Sequence, residues 1–418
     1  MWGLLACLTT IIAYQVEGMD KVAESVRRLF GSDKNFNVKP TTGGYALVDS
    51  NNVVFAYGKP MSGLEYQGMT IYGAYLPESV PKILGVDRES DLLYTEWLRG
   101  HKSLHTTLVG DILDVDISRA VGTVLGRSHA ASHAELEIGL RFPMSKKRGP
   151  VSPQDQEAIY RRLFRNEDSF VHREKGFDIV QAYLSKRGNE EATLAALAAL
   201  QRSHQDQGSR KALIHGDLTA EAVLVPSGNL NQGNKANLKV RGFRHFAYGP
   251  PGCDLGSYLA SYTWYYASHA HPFCRRALRA GVAEVLSSYV SAFRAQAMTS
   301  PQVKRQGEGL VATITDGILR EACGYLGMAL LQLVATDTKK SGFKYDALRE
   351  NKWGDSEGRI KSIKERQVAL ASHALALYVN GDTIKQGGAK ANVITLLDDL
   401  LKRDEEALLN AHQTEFWY

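Results

Sequence analysis

The chain has 418 residues, 44% of them apolar and 23% charged, which places it among globular proteins able to bury one large core or two lobes. Fifty basic and 45 acidic residues leave a formal net charge of +5, and the one dense basic run is Lys146, Lys147 and Arg148 beside Gly149 and Pro150. A single short run reads as a solvated loop, not the basic stripe that a nucleic-acid partner requires, so nucleic acid is excluded as an expected ligand.

The opening stretch, MWGLLACLTTIIAYQV, carries no formal side-chain charge. It is short for a bilayer span and lacks the basic start of a secretory signal. The expectation is an apolar N-terminal segment over 1–18 that rests on its own protein, a partner or a membrane, or that is a truncated leader. From residue 19 the pattern is amphipathic: Val22, Val26 and Leu29 recur at helical spacing and Gly31 follows as a stop. Residues 36–58 read as two or three strands, with turn chemistry at Thr42, Gly43 and Gly44 and again from Asp49 to Asn52. A segment containing Glu65 follows, then VPKILGVD and the apolar strand DLLYTEWL, giving a strand-rich lobe over 19–98 interrupted by one helix.

Beyond Leu98 the periodicity turns helical, as in DISRAVGTVLGRSHAASH and EEATLAALAALQRSHQ. Helices dominate to the end, except between about 212 and 245, where short strands flank the loop PSGNLNQGNKAN. The fold class expected is α+β: a small strand-rich N-lobe, then a large, mainly helical C-lobe over 99–418. Cys7, Cys253, Cys274 and Cys323 are far apart with no Cys-x-x-Cys pair, so neither a zinc site nor a disulfide framework is signalled, and a reducing intracellular compartment is the simplest setting.

The informative constellation is LIHGDLTAEAVLV followed by LKVRGFRHFAYGPPGCDLG. An apolar strand ending in His215, Gly216 and Asp217 presents a carboxylate on a loop, where it can accept a hydroxyl proton. In order and spacing the two stretches resemble the aminoglycoside phosphotransferase and choline kinase superfamily. Within it the resemblance is to S-methyl-5-thioribose kinases, through Phe246, Ala247, Tyr248, Gly249, Pro250, Gly252, Asp254 and Gly256. Glu65 before ESVPKIL, Glu96 in LLYTEWL, and the segments RRLFRNEDSF and ILREACGYLGMALL extend the likeness over roughly 19–400.

The resemblance implies a two-lobed protein-kinase-like fold and assigns roles that can be checked against phosphoryl transfer, which holds ATP and magnesium in line with an acceptor hydroxyl beside an aspartate. Asp217 matches that aspartate. The family's metal-binding Asp-x-Glu falls on Gly242, Phe243 and Arg244, and the loop position that contacts metal in many relatives is Ala222. Arg241 and Arg244 would repel a divalent ion that demands oxygen ligands. Asp254 is expected to support the loop and the start of the next helix, not to bind metal. On the nucleotide side Gly43 and Gly44 match a phosphate loop or a plain hairpin. Ala56 or Tyr57 stands where the phosphate-binding lysine is expected, and Lys59 comes late, which leaves Glu65 without its partner. The substrate-clamping arginine pair is replaced by Gln332 and Leu333.

The expectation is a catalytically inactive, methylthioribose kinase-like pseudokinase that has kept the fold as a surface, since function resides in sites and not in architecture. Its partners would be protein subunits of a larger complex, with membrane contact through residues 1–18 and an organellar membrane as one setting. No cofactor is expected. The alternative is an active magnesium- and ATP-dependent kinase acting on a sugar hydroxyl such as that of methylthioribose, with an ATP-sensing module as a third reading.

Overall fold

The computed structural model describes residues 19–31, 36–41, 44–110, 115–138, 177–206, 211–227, 238–268, 272–335, 356–380, 385–386, 389–390, 397–399 and 401–403. The apolar segment 1–18, Gly43, the basic run 146–148, RRLFRNEDSF and the aromatic C-terminus lie outside them, as does most of the Asn/Gly-rich loop.

The chain divides into two compact units, each described by itself. The first contains the described residues up to His101 together with Lys239–Arg244; the second contains Lys102–Leu238 and the described residues from His245 onward. The small segment Lys239–Arg244 thus belongs with the strand-rich unit although it follows it by more than a hundred residues in sequence.

The first unit is a five-stranded antiparallel sheet in the order β1-β2-β3-β5-β4, built from β1 (Asn37–Thr41), β2 (Gly44–Val48), β3 (Val54–Pro60), β4 (Ile83–Asp87) and β5 (Leu92–Glu96). Helix α1 (19–30) lays Val22 and Val26 on one sheet face, where they meet Leu47, Ala56, Leu92 and Tyr94. Leu29, expected on that stripe, is exposed, and Phe30 packs on the core in its place. The spacing from Val26 to Phe30 keeps the same helix face that the spacing from Val26 to Leu29 begins to leave. The β2–β3 turn is closed by Asp49, whose Oδ1 accepts from the backbone of Asn51 and Val53 at 2.9 and 2.8 Å. Helix α2 (Gly63–Tyr75) follows β3 after a two-residue step and buries Glu65, Met69, Ile71 and Tyr72.

The second unit is mainly helical. It contains α3 (Leu104–Gly110), α4 (Val115–Ser132), α5 (Phe177–Arg187), α6 (Glu190–Gln205), α7 (Gly252–Ser268), α8 (Pro272–Ala297), α9 (Pro301–Gln306), α10 (Gly309–Ala335) and α11 (Ser356–Asn380). Helix α7 is buried almost along its whole length. It approaches α10 closely because a side-chain carbon at Gly252 or Gly256 would come within 2.9 Å of the carbonyls of Ile318 and Ala322. Strands β7 (Ala212–Ile214) and β10 (Ala247–Gly249) pair antiparallel in front of this core, and β8 (Val223–Pro226) continues the loop that leaves β7. The unit therefore carries the motif-bearing loops on a rigid helical base.

Candidate functional site

In the first unit the decisive contact is between Lys59 and Glu65. Lys59 Nζ lies 2.5 Å from Glu65 Oε1, with side-chain exposures of 18% and 5%. This corrects the expectation that Glu65 lacks a partner. Ala56, a methyl side chain fully buried on the core face of β3, has no charge to offer, while strand alternation puts Tyr57 and Lys59 on the other face. Because α2 begins so soon after β3, Glu65 in its first turn is brought back to the strand's last lysine. A lysine on the third strand paired with a helix glutamate is a part that protein kinases use to position nucleotide phosphates.

Glu96 is occupied within its own unit. Its Oε1 accepts from the Lys82 backbone at 2.9 Å and sits 3.5 Å from Lys239 Nζ, holding the start of β4 and the Lys239 segment to the end of β5. Gly44 opens β2 opposite Thr41, as in a tight hairpin. In the Lys239–Arg244 segment, Phe243 is fully buried and its ring lies 5.1 Å from that of Tyr72. The residues on either side of it differ from it. Arg241 and Arg244 are exposed, and Gly242 takes a left-handed φ of 87° with nothing within 4 Å of where a Cβ would be. At these positions the side chains offer no oxygen ligand to a hard divalent cation. Among the described residues no group of three or more His, Cys, Asp or Glu side chains is placed to hold a metal ion.

In the second unit Asp217 is exposed at the end of β7, on a loop whose backbone is held from below. Asp254, fully buried in the first turn of α7, accepts from the backbone N–H of His215 at 2.6 Å and of Gly216 at 2.8 Å, one on each carboxylate oxygen. His129 of α4, also fully buried, lies with Nε2 3.4 Å from Asp254 and Nδ1 3.0 Å from the Tyr289 hydroxyl. A carboxylate only accepts, so Nε2 carries the proton and the tyrosine donates to Nδ1. Gly216 has φ 81°, and a Cβ there would stand 2.1 Å from the His245 carbonyl, so no other residue fits. Ser261 Oγ accepts from the Ala220 backbone at 3.2 Å and the Ala220 carbonyl accepts from His105 at 3.1 Å. Ala222 is buried just before β8, and Gln332 and Leu333 are half-buried near the end of α10.

Asp254 was legible from its motif; His129 and Tyr289 behind it were not. They come from helices distant in sequence, and a histidine on an apolar helix face gives no signal of its own. The Glu221–His105–Tyr265 contact behind the loop was missed for the same reason: His105 Nε2 is 3.6 Å from Glu221 Oε1, and the Tyr265 hydroxyl meets Nδ1.

No family model matches the chain. The methylthioribose kinase of Yersinia pestis (strain Pestoides F) is 24% identical over 281 residues, covering 64% of this chain and 65% of that protein. The methylthioribose kinase of Erwinia tasmaniensis is 25% identical over 300 residues, covering 68% of this chain and 72% of the relative. These low-identity relatives support a kinase-like superfamily for the chain. The match spans just under two thirds of the length of the Yersinia relatives, at 65%. Among solved structures, a choline/ethanolamine kinase family protein from Mesorhizobium loti aligns with a TM-score of 0.41 at 13% identity, covering 86% of this chain and 99% of that one. Spectinomycin phosphotransferase aligns with a TM-score of 0.39 at 13% identity, covering 76% and 97%.

Proposed function

We propose that this kinase-like chain is a catalytically inactive relative of methylthioribose kinases that serves as a structural or interaction subunit of a larger protein assembly. The observation that carries this reading is the segment Arg241–Arg244. Where phosphoryl transfer needs carboxylates beside the phosphates, the chain has Gly242 in a left-handed conformation between two exposed arginines. Magnesium does not fit this residue set: Ala222 supplies no ligand, and Asp254 has both oxygens engaged by the Asp217 loop. Residues 1–18 are the proposed contact to a partner subunit or a membrane, because burying a large apolar side chain is worth about 1.5–3 kcal/mol.

One observation favours the alternative of an active small-molecule kinase: the Lys59–Glu65 pair is formed, and Asp217 is exposed on a braced loop. Two measurements separate the readings. Purified full-length chain incubated with ATP, magnesium and methylthioribose is expected to transfer no phosphate. Gentle extraction from the native source followed by size fractionation is expected to find the chain in a particle far heavier than its homodimer, with stoichiometric companions. Recovery only as a free monomer or homodimer that phosphorylates a sugar in a magnesium-dependent way would establish the kinase instead.

A further inference from the structure

We propose that Tyr57 is a built-in plug that closes the nucleotide-binding face of the first unit. The proposal deepens the inactive-kinase reading and rests on it. Strand alternation along β3 puts Tyr57 on the same face as Lys59, the face opposite the Ala56 core contacts. A nucleotide whose phosphates approach Lys59 must lie along this face.

Tyr57 is fixed there at both ends. At the glycine turn, a side-chain carbon on Gly44 would meet Tyr57 Cζ and Oη at 2.7 Å, so the tip of the ring rests against the Gly44 backbone. The Thr41 side chain, on the strand position paired with Gly44, lies within hydrogen-bonding reach of the hydroxyl. Toward the end of β5 the ring faces Trp97, with centroids 6.4 Å apart and planes at 47°. Burial pushes the phenol above its usual range, against the opposing influence of the Thr41 hydrogen bond and the nearby Arg241 charge. The side chain is thus a half-buried, neutral ring that bridges the turn and the end of β5.

A purine and ribose laid between the Gly44 turn and Trp97 would need the space this ring fills. Admitting them requires Tyr57 to leave both the Thr41 hydrogen bond and the Trp97 contact, with no compensating magnesium bridge to the phosphates. The nearby Arg241 charge would favour an anionic ligand, so the barrier is steric and not electrostatic. A smaller residue at position 57 opens the face without touching Lys59, Glu65 or Asp217.

The test titrates full-length chain with ADP, without magnesium, by calorimetry for the natural protein, Tyr57→Ala and Tyr57→Phe, alongside an ATP turnover assay of the natural protein. The natural protein and Tyr57→Phe are expected to bind ADP weakly, and Tyr57→Ala to bind at least about tenfold more tightly. Should Tyr57→Ala fail to fold by circular dichroism, Tyr57→Leu, too short to reach Gly44 and Thr41, serves for the same comparison. ADP binding by the natural protein as tight as by the truncated variant overturns the plug. So does a folded variant with no gain; if the natural protein is also inert toward ATP, the inactive-kinase reading survives that result. Turnover by the natural protein overturns both.

Discussion

Gly216 and Gly242 both take left-handed angles, φ 81° and 87°. Their surroundings are opposite. Gly216 is hemmed in by the His245 backbone, and its N–H ends on Asp254, which is held in turn by His129, itself bonded to Tyr289. Gly242 faces open space, flanked by exposed arginines, and only its neighbour Phe243 is packed. The first loop is part of the core of its unit, so changing it disturbs folding. The second carries its arginines exposed, so substitutions there are expected to cost the fold little.

The largest effect expected from this contrast is at Asp254. Replacing it with alanine leaves the buried His215 N–H, the half-buried Gly216 N–H and His129 without their acceptor and is predicted to destabilise the protein by about 4 kcal/mol in denaturant unfolding. Asp254→Asn, which keeps one acceptor oxygen, should lose roughly half as much. A change under about 1 kcal/mol for the alanine variant would mean that the Asp217 loop is not braced as described.

The Lys59–Glu65 pair stands between the two extremes. Lys59→Met strands a buried carboxylate and is expected to cost about 2 kcal/mol, less than Asp254→Ala because the lysine keeps some contact with water. Combining it with Glu65→Gln should recover about 1 kcal/mol of that loss, a coupling measurable in a double-mutant cycle. Strict additivity would show that the two side chains do not interact in solution.

The smallest effect belongs to the open turn. Gly242→Asp forces an L-residue into a left-handed conformation at about 1 kcal/mol, with no steric clash to add to it. Gly242→Asp with Arg244→Glu should therefore fold, restoring the carboxylates for a direct test of what they supply. A loss above about 3 kcal/mol would contradict the description of Gly242 as unpacked.

The two regions were also unequally legible in the sequence. That Gly242 and Arg244 are not carboxylates is a matter of residue identity, readable without coordinates. The strand-rich first unit, helices α4 and α6 and the Asp217 loop followed from periodicity and motif. What failed was the placement of a contact by counting. Lys59 was judged too late to meet Glu65, because spacing from a motif does not reveal where β3 ends or how soon α2 turns back. The burial of Phe30 in place of Leu29 and the union of Lys239–Arg244 with a unit far away in sequence depend likewise on three-dimensional packing. His129 and Tyr289 supply the same lesson: each is unremarkable on its own helix and acquires its role only when α4, α7 and α8 come together around Asp254.

The central claim, that a kinase-like chain persists here without metal-dependent chemistry, is tested most directly by thermal melting of the natural full-length protein at millimolar ATP with and without magnesium. The account predicts no rise in melting temperature that depends on magnesium. A magnesium-dependent rise of several degrees, the ordinary consequence of a ligand binding the folded state, would contradict it.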